Sequence, residues 1–147
     1  INGGYLIQQK NKIVFNKKNM KCVTRKKASK KIIDDLIFGF KVSKHVKSNA
    51  IIFVKNKQTV AIGAGQMSRI DATKIAILKV SPKTKKNGYI AASDAFFPFV
   101  DNIQLLLKNN CKAIIQPFGS INDKKIIKFA DSKNIPIYFS SFRFFKH

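Results

Sequence analysis

The alternation of apolar and polar positions divides the chain into short strands and amphipathic helices. Tyr5–Gln9, Ile13–Phe15 and Lys21–Thr24 read as brief strands separated by Asn/Lys turns. Ser29 is placed to cap a helix in which Ile32, Ile33, Leu36, Ile37 and Phe40 recur at i, i+3/i+4 spacing, expected to run to about Val46. Two strands, Ala50–Val54 and Thr59–Gly63, flank the turn Lys55-Asn56-Lys57-Gln58. Gly63 to Met67 is a small-residue loop. Ser68 and Asp71 then have capping-box spacing, with Asp where Glu or Gln is usual, and open a helix to about Lys79. Ser81–Gly88 is Lys-rich and lacks any apolar residue, so it reads as a linker or insertion site. After it come a strand (Tyr89–Ala92), an apolar loop (Ser93–Phe99), a helix from Pro98 to about Asn110 and a strand (Lys112–Gln116). A helix from Asn122 to about Lys133 and a last strand, Pro136–Phe139, complete the pattern. Strands alternating with helices predict an α/β layered fold with at least partly parallel pairing.

Composition narrows the class. A chain of 147 residues matches one domain, and no apolar run approaches the ~18–20 residues of a membrane span. Cys22 and Cys111 have no second ligand at metal spacing, so a zinc site, a redox pair and a disulfide framework are all unsupported, and no metal is expected. Residue 1 is Ile and no signal segment follows, which predicts a cytoplasmic protein and a piece of something longer. The net charge of +22 points toward polyanions. Yet Lys, Ile, Phe and Asn, all with A/T-rich codons, dominate the sequence, the only arginines are Arg25, Arg69 and Arg143, and all seven acids are Asp. Nucleic-acid readers rely on Arg forks and interleaved aromatics, and neither is present as a motif. A solvated basic surface is the expectation, and a basic anion- or RNA-binding module is the alternative.

Three loop stretches carry more chemistry than turns need. Asn49, in Lys47-Ser48-Asn49-Ala50, offers two donors and an acceptor from a fixed amide, though Asn also ends helices without any ligand. In Gly63-Ala64-Gly65-Gln66-Met67-Ser68-Arg69-Ile70, glycines allow a ligand near the backbone. Arg69 in a first helical turn opposes the helix dipole, which implies a ligand or an acidic partner. The stretch is neither a dinucleotide fingerprint nor a Walker loop. Finally, Ala92–Asn102 sets Phe96, Phe97 and Phe99 around Pro98, bracketed by Asp94 and Asp101. Ring faces and carboxylates suit a flat heteroaromatic ligand, whereas the structural reading is a core plug with Asp101 in a helix's first turn.

Taken in order, Lys47-Ser48-Asn49-Ala50-Ile51, Gly63-Ala64-Gly65-Gln66-Met67-Ser68-Arg69, Ser93-Asp94-Ala95-Phe96-Phe97-Pro98-Phe99 and Ile115-Gln116-Pro117-Phe118-Gly119-Ser120 resemble one family. It is the family of bifunctional purine biosynthesis proteins, which join a 5-aminoimidazole-4-carboxamide ribonucleotide formyltransferase to an inosine monophosphate cyclohydrolase. The resemblance runs from Gly3-Gly4 to Arg143-x-Phe-x-His147. It implies that residues 1–147 are the second, C-terminal half of the formyltransferase domain, a three-layer α/β/α sandwich of cytidine-deaminase-like topology with a mixed sheet. The zinc signature of true deaminases is absent. The cyclohydrolase domain and the first formyltransferase half are not in this chain.

The resemblance also implies roles. Asn49, Arg69, Phe96 and Arg143 correspond to nucleotide-binding positions, with Asn49 and Arg69 supporting catalysis and Arg143 gripping the phosphate. Ile70, Phe99, Asp101, Asn102, Ser120 and Ile121 correspond to positions that hold 10-formyltetrahydrofolate, the cosubstrate, with Asp101 accepting from the pterin N–H groups. The family's catalytic Lys-His pair belongs to the first half, so Lys44-His45 is expected to be a structural lookalike, and His147 is open between a place near the site and a plain terminus. Phe118 stands where a small residue is usual in the family and Val100 where Arg is usual, departures expected to crowd the folate loop and to weaken an ion pair beside the pterin site. The family's site forms between subunits, so a homodimer is expected, and the chain alone is expected to catalyse neither reaction. An inactive remnant is the other alternative.

Overall fold

A computed structural model of the chain describes residues 3–5, 7 and 12–146. After a 3-10 turn at Lys17–Asn19 the elements are β1 (Met20–Cys22), α1 (Lys30–Ser43), β2 (Ile51–Lys55), β3 (Gln58–Gly63), α2 (Arg69–Lys79), α3 (Pro82–Asn87), β4 (Tyr89–Ser93), α4 (Asp101–Lys108), β5 (Cys111–Pro117), α5 (Asp123–Ser132) and β6 (Ile137–Ser140). The strands form one mixed sheet in the order β1-β6-β5-β4-β2-β3. β4, β5 and β6 run parallel, while β1, β2 and β3 each pair antiparallel with their neighbours. No helix among the described residues is long and apolar enough to cross a membrane.

The pleat explains why helices cover both faces. Ile51, Phe53, Ala91 and Ile114 face one core with Ala72, Ala76, Ile103, Leu106, Ile126 and Ala130, so α2, α4 and α5 pack on that side. Their strand neighbours Ile52, Val54, Ile90, Ala92, Ala113 and Ile115 face the other core with Leu36 and Phe40 of α1. α1 sits close to the sheet because a Cβ on Gly39 would lie 3.1 Å from Ala92 Cβ and from Val54 Cγ2.

The β2–β3 turn shows how the few acids are used. Asn56 and Lys57 both have positive φ, 53° and 56°, as a tight hairpin turn requires. Buried Asp35 of α1 accepts from both of their backbone N–H groups, at 3.0 and 2.7 Å, and Asp34 pairs with Lys57 Nζ at 3.3 Å. Asp35→Ala is expected to lower stability by about 3 kcal/mol or more, from two hydrogen bonds to a charged acceptor at about 1.5 kcal/mol or more each. Urea unfolding measures it, and an unchanged midpoint would show that the turn holds itself.

Several boundaries differ from expectation. The strand at Tyr5–Gln9 falls largely on residues outside the described set. Ile13–Phe15 is not a strand: Phe15 turns inward against Phe40 and Phe144, with ring centroids 4.5 and 6.3 Å away, and Lys44 Nζ donates to Ile13 O at 2.9 Å. α1 ends at Ser43, three residues early, where the main chain tightens into i→i−3 bonds from His45 N to Val42 O at 2.9 Å and from Val46 N to Ser43 O at 3.2 Å. Ser81–Gly88 is not a linker. Ser81 Oγ accepts from Thr84 N at 3.2 Å, Pro82 occupies the first turn and Asn110 Nδ2 binds the carbonyls of Lys85 and Lys86, so local capping makes α3 without an apolar face. α4 starts at Asp101 rather than Pro98.

Candidate functional site

Antiparallel pairing of β2 with β3 and β4, and parallel pairing of β4, β5 and β6, bring five connecting segments to one sheet edge: 47–50, 64–68, 94–100, 118–122 and 141–146. In α/β sheets this is the edge where ligands bind, beyond the carboxyl ends of parallel strands. Main-chain hydrogen bonds stitch the segments together. Gly65 N donates to Lys47 O at 2.8 Å, Asp94 N to Ala50 O at 3.3 Å, Phe144 N to Asp94 O at 3.1 Å and Ser48 N to Lys146 O at 2.9 Å. The Ser48 hydroxyl accepts from Lys146 N at 3.1 Å, so the tail runs from the end of β6 to the segment before β2.

Asn49 uses both amide hydrogens inside the protein, donating to Gln66 O at 2.9 Å and Met67 O at 3.1 Å. It thereby fixes the loop that delivers Arg69. No described donor is bonded to its carbonyl oxygen, which leaves that oxygen as an open acceptor.

Arg69 is the centre of the charge arrangement. Its Nη2 lies 3.3 Å from Asp94 Oδ1, with Arg69 15% exposed at the side chain and Asp94 fully buried. The acidic partner that Arg69 demanded is therefore Asp94, which faces inward and does not line a ligand surface. Burial pushes the Arg69 guanidinium below its ordinary value, Asp94 opposes that shift and Arg143 adds to it. Among the described residues Asp94 pairs with Arg69 alone, so the nearby Arg143 leaves the cluster net positive. Arg143 stacks over the half-buried Phe96 at 4.8 Å, and Phe145 lies beneath Arg69 at 5.8 Å. Gly119 leaves room for Arg143, since a Cβ there would meet its Nη2 at 2.8 Å.

A second group surrounds the start of α4. Asp101 is exposed, and its Oδ1 accepts from Asn102 N at 2.7 Å and Nδ2 at 3.2 Å. Asn102 is buried, its Oδ1 2.8 Å from the Thr73 hydroxyl, which also lies 2.9 Å from Arg69 O. Asn102 therefore orients Asp101 and links α4 to the first turn of α2, where Ile70 lies. Asn122 Nδ2 donates to Pro98 O at 2.8 Å, and Asp123 accepts from Gly119 N and Ser120 N, so the loop with Ser120 and Ile121 is fixed beside the Phe-Pro-Phe segment. Phe99 and Ile121 are open to solvent, at 62% and 98% exposure. Phe118 points elsewhere. With Lys18, Met20, Lys21, Val23 and Phe139 it lines a separate hollow of about 320 Å³ beside β1.

His45 is exposed past the end of α1, and Lys44 Nζ donates to Ile13 O. His147 lies outside the described residues. Among those residues no group of His, Cys or Asp is arranged to hold a metal. Cys111 is buried, which pushes its thiol up to about 12, and it sits at the amino end of β5, away from this edge. Thr73 was not legible as a site residue. Asp94 was legible as a carboxylate bracketing the aromatic loop and Arg69 as in need of an acid, but nothing in the sequence joined the two.

Fold and edge together define an α/β unit with a basic and aromatic cluster beyond the carboxyl ends of its parallel strands. Residues 1–79 match the model of the AICARFT/IMPCHase bienzyme family. The chain is 44% identical over 145 residues to the bifunctional purine biosynthesis protein PurH of Chlorobium phaeobacteroides strain BS1, covering 98% of this chain and 28% of that protein. It is 43% identical, with the same coverage, to the PurH proteins of Chlorobium chlorochromatii strain CaD3 and Pelodictyon phaeoclathratiforme. The chain belongs to the AICARFT/IMPCHase bienzyme family. It spans about 28% of the length of the curated relatives it matches.

Proposed function

We propose that residues 1–147 form the second half of a formyltransferase domain with cytidine-deaminase-like topology. In the complete homodimeric enzyme this half helps transfer the formyl group of 10-formyltetrahydrofolate to 5-aminoimidazole-4-carboxamide ribonucleotide. The observation that carries the reading is the convergence of Asn49, Arg69, Phe96 and Arg143 on one sheet edge, stitched by main-chain hydrogen bonds.

In the reaction the exocyclic amine attacks the formyl carbon. A tetrahedral oxyanion forms, the bond to the folate N10 breaks, and the amine proton leaves as N10 gains one. This half orients the reactants and stabilises charge. Asn49 Oδ1 accepts from a nucleotide N–H, Arg143 takes the phosphate with its fork, and Arg69 supplies positive charge near the reacting centre. Asp101 accepts from the pterin against the apolar surface of Phe99 and Ile121, with Ser120 and the Ile70 backbone alongside. The proton-transfer pair and the missing walls of the cleft come from the first half and the partner subunit.

The test uses a chimera, the Chlorobium phaeobacteroides PurH protein with its matching segment replaced by this chain. Calorimetric titration of each ligand should separate two variants. Asp101→Asn turns an acceptor into a donor, and that mismatch of about 1–3 kcal/mol should weaken folate and spare the nucleotide. Arg143→Lys keeps charge but loses the fork, so nucleotide affinity should fall and folate affinity hold. A chimera that binds neither ligand would overturn the proposed function. Equal weakening of both ligands by Asp101→Asn would make that residue a helix-start device only.

A further inference from the structure

Asp94 touches every segment of the nucleotide cluster and no solvent. Its backbone N–H holds Ala50, next to Asn49, its carbonyl holds Phe144, next to Arg143, and its side chain holds Arg69. Phe96 follows two residues on. At zero exposure its carboxylate cannot meet a ligand directly. The pair with Arg69 has one bond, and Arg69 Nε and Asp94 Oδ2, the atoms a side-on fork would join, are both buried without partners. Among the described residues Asp94 is the acid paired with Arg69, while Arg143 lies over Phe96, two positions further along the same loop.

We propose that Asp94 is the positioning residue of the nucleotide site, holding Arg69 with its side chain and the Arg143 segment with its carbonyl so that both guanidiniums converge on one anionic ligand. The inference rests on the proposed function. Removing one partner of a buried ion pair leaves the other uncompensated, and here the consequence is a displaced Arg69 rather than a lost ligand contact. Asp94 therefore acts through Arg69, and the two substitutions must not add.

The experiment is a double-mutant cycle in the chimera, titrating 5-aminoimidazole-4-carboxamide ribonucleotide and folate separately. Asp94→Asn should weaken nucleotide binding about tenfold or more in the parent, yet less than about twofold when added to Arg69→Gln, because coupled sites are non-additive. Folate affinity should hold in all variants. If Asp94→Asn alone fails to fold, the neutral pair Arg69→Gln/Asp94→Asn is compared with Arg69→Gln, where equal nucleotide affinity supports the proposal and a further tenfold loss overturns it. Equal losses in both backgrounds, or an unchanged parent affinity, also overturn it. A parent chimera that binds folate but no nucleotide would sink the nucleotide site itself, and this inference with it.

Discussion

Replacing Arg69 by alanine should slow formyl transfer by about 10²-fold or more in the chimera, the usual consequence of removing a preorganised charge from a developing oxyanion. Arg69 is held in place by Asp94 at 3.3 Å and retains limited exposure, so its charge is directed rather than diffuse. Alanine also leaves Asp94 buried without its cation, which adds a structural penalty to the catalytic one. Asn49→Ala should approach the same loss, since it removes an acceptor and releases the carbonyls of Gln66 and Met67. His45→Ala should change the rate by less than about threefold, as expected of a surface residue outside the charge arrangement. Spectrophotometric release of tetrahydrofolate measures all three. A His45→Ala loss equal to that of Asn49→Ala would relocate the proton transfer to α1.

Gly63→Ala should cost about 3 kcal/mol or more of stability, the upper range for forced overpacking. A Cβ at this position would lie 1.8 Å from Ala72 O and 2.7 Å from its carbonyl carbon. Both are backbone atoms of α2, so no side chain can swing aside. Relief requires α2 to move off β3, and α2 carries Arg69 at its first residue. The variant should therefore lose thermal stability and nucleotide affinity together. A drop in Tm with full nucleotide affinity would show that α2 pivots about Arg69.

The Gly63-Ala64-Gly65 stretch also shows what a sequence can and cannot say about a site. Read from composition, its glycines invite a ligand to the backbone. In the fold Gly63 admits a helix, and Gly65, with φ +64°, turns the loop toward Lys47 O. The strands and helices with alternating or 3.6-residue periodicity were legible because burial writes that pattern directly. α3 was not, since it has no buried residue and is made by Ser81 and Pro82. For the site, the family resemblance supplied candidate positions and the first-turn Arg69 supplied a need for negative charge. Which acid answered it depended on β4 ending opposite the start of α2, a tertiary fact with no local signature. Asn49 was legible as a polar reader. That its two donors are already engaged, leaving only an acceptor, follows from the loop 65–67 lying against it.

The tail runs from Ser141 past Arg143 to Lys146. Arg143 joins Phe96, Phe144 joins Phe15 and Phe40, and Lys146 closes on Ser48, so the last segment described completes a cluster begun nearly a hundred positions earlier. The core face of Phe15 and Phe40 is therefore finished only when the tail docks, and removal of residues 141–146 would take Arg143 from the cluster and a buried ring from the core together.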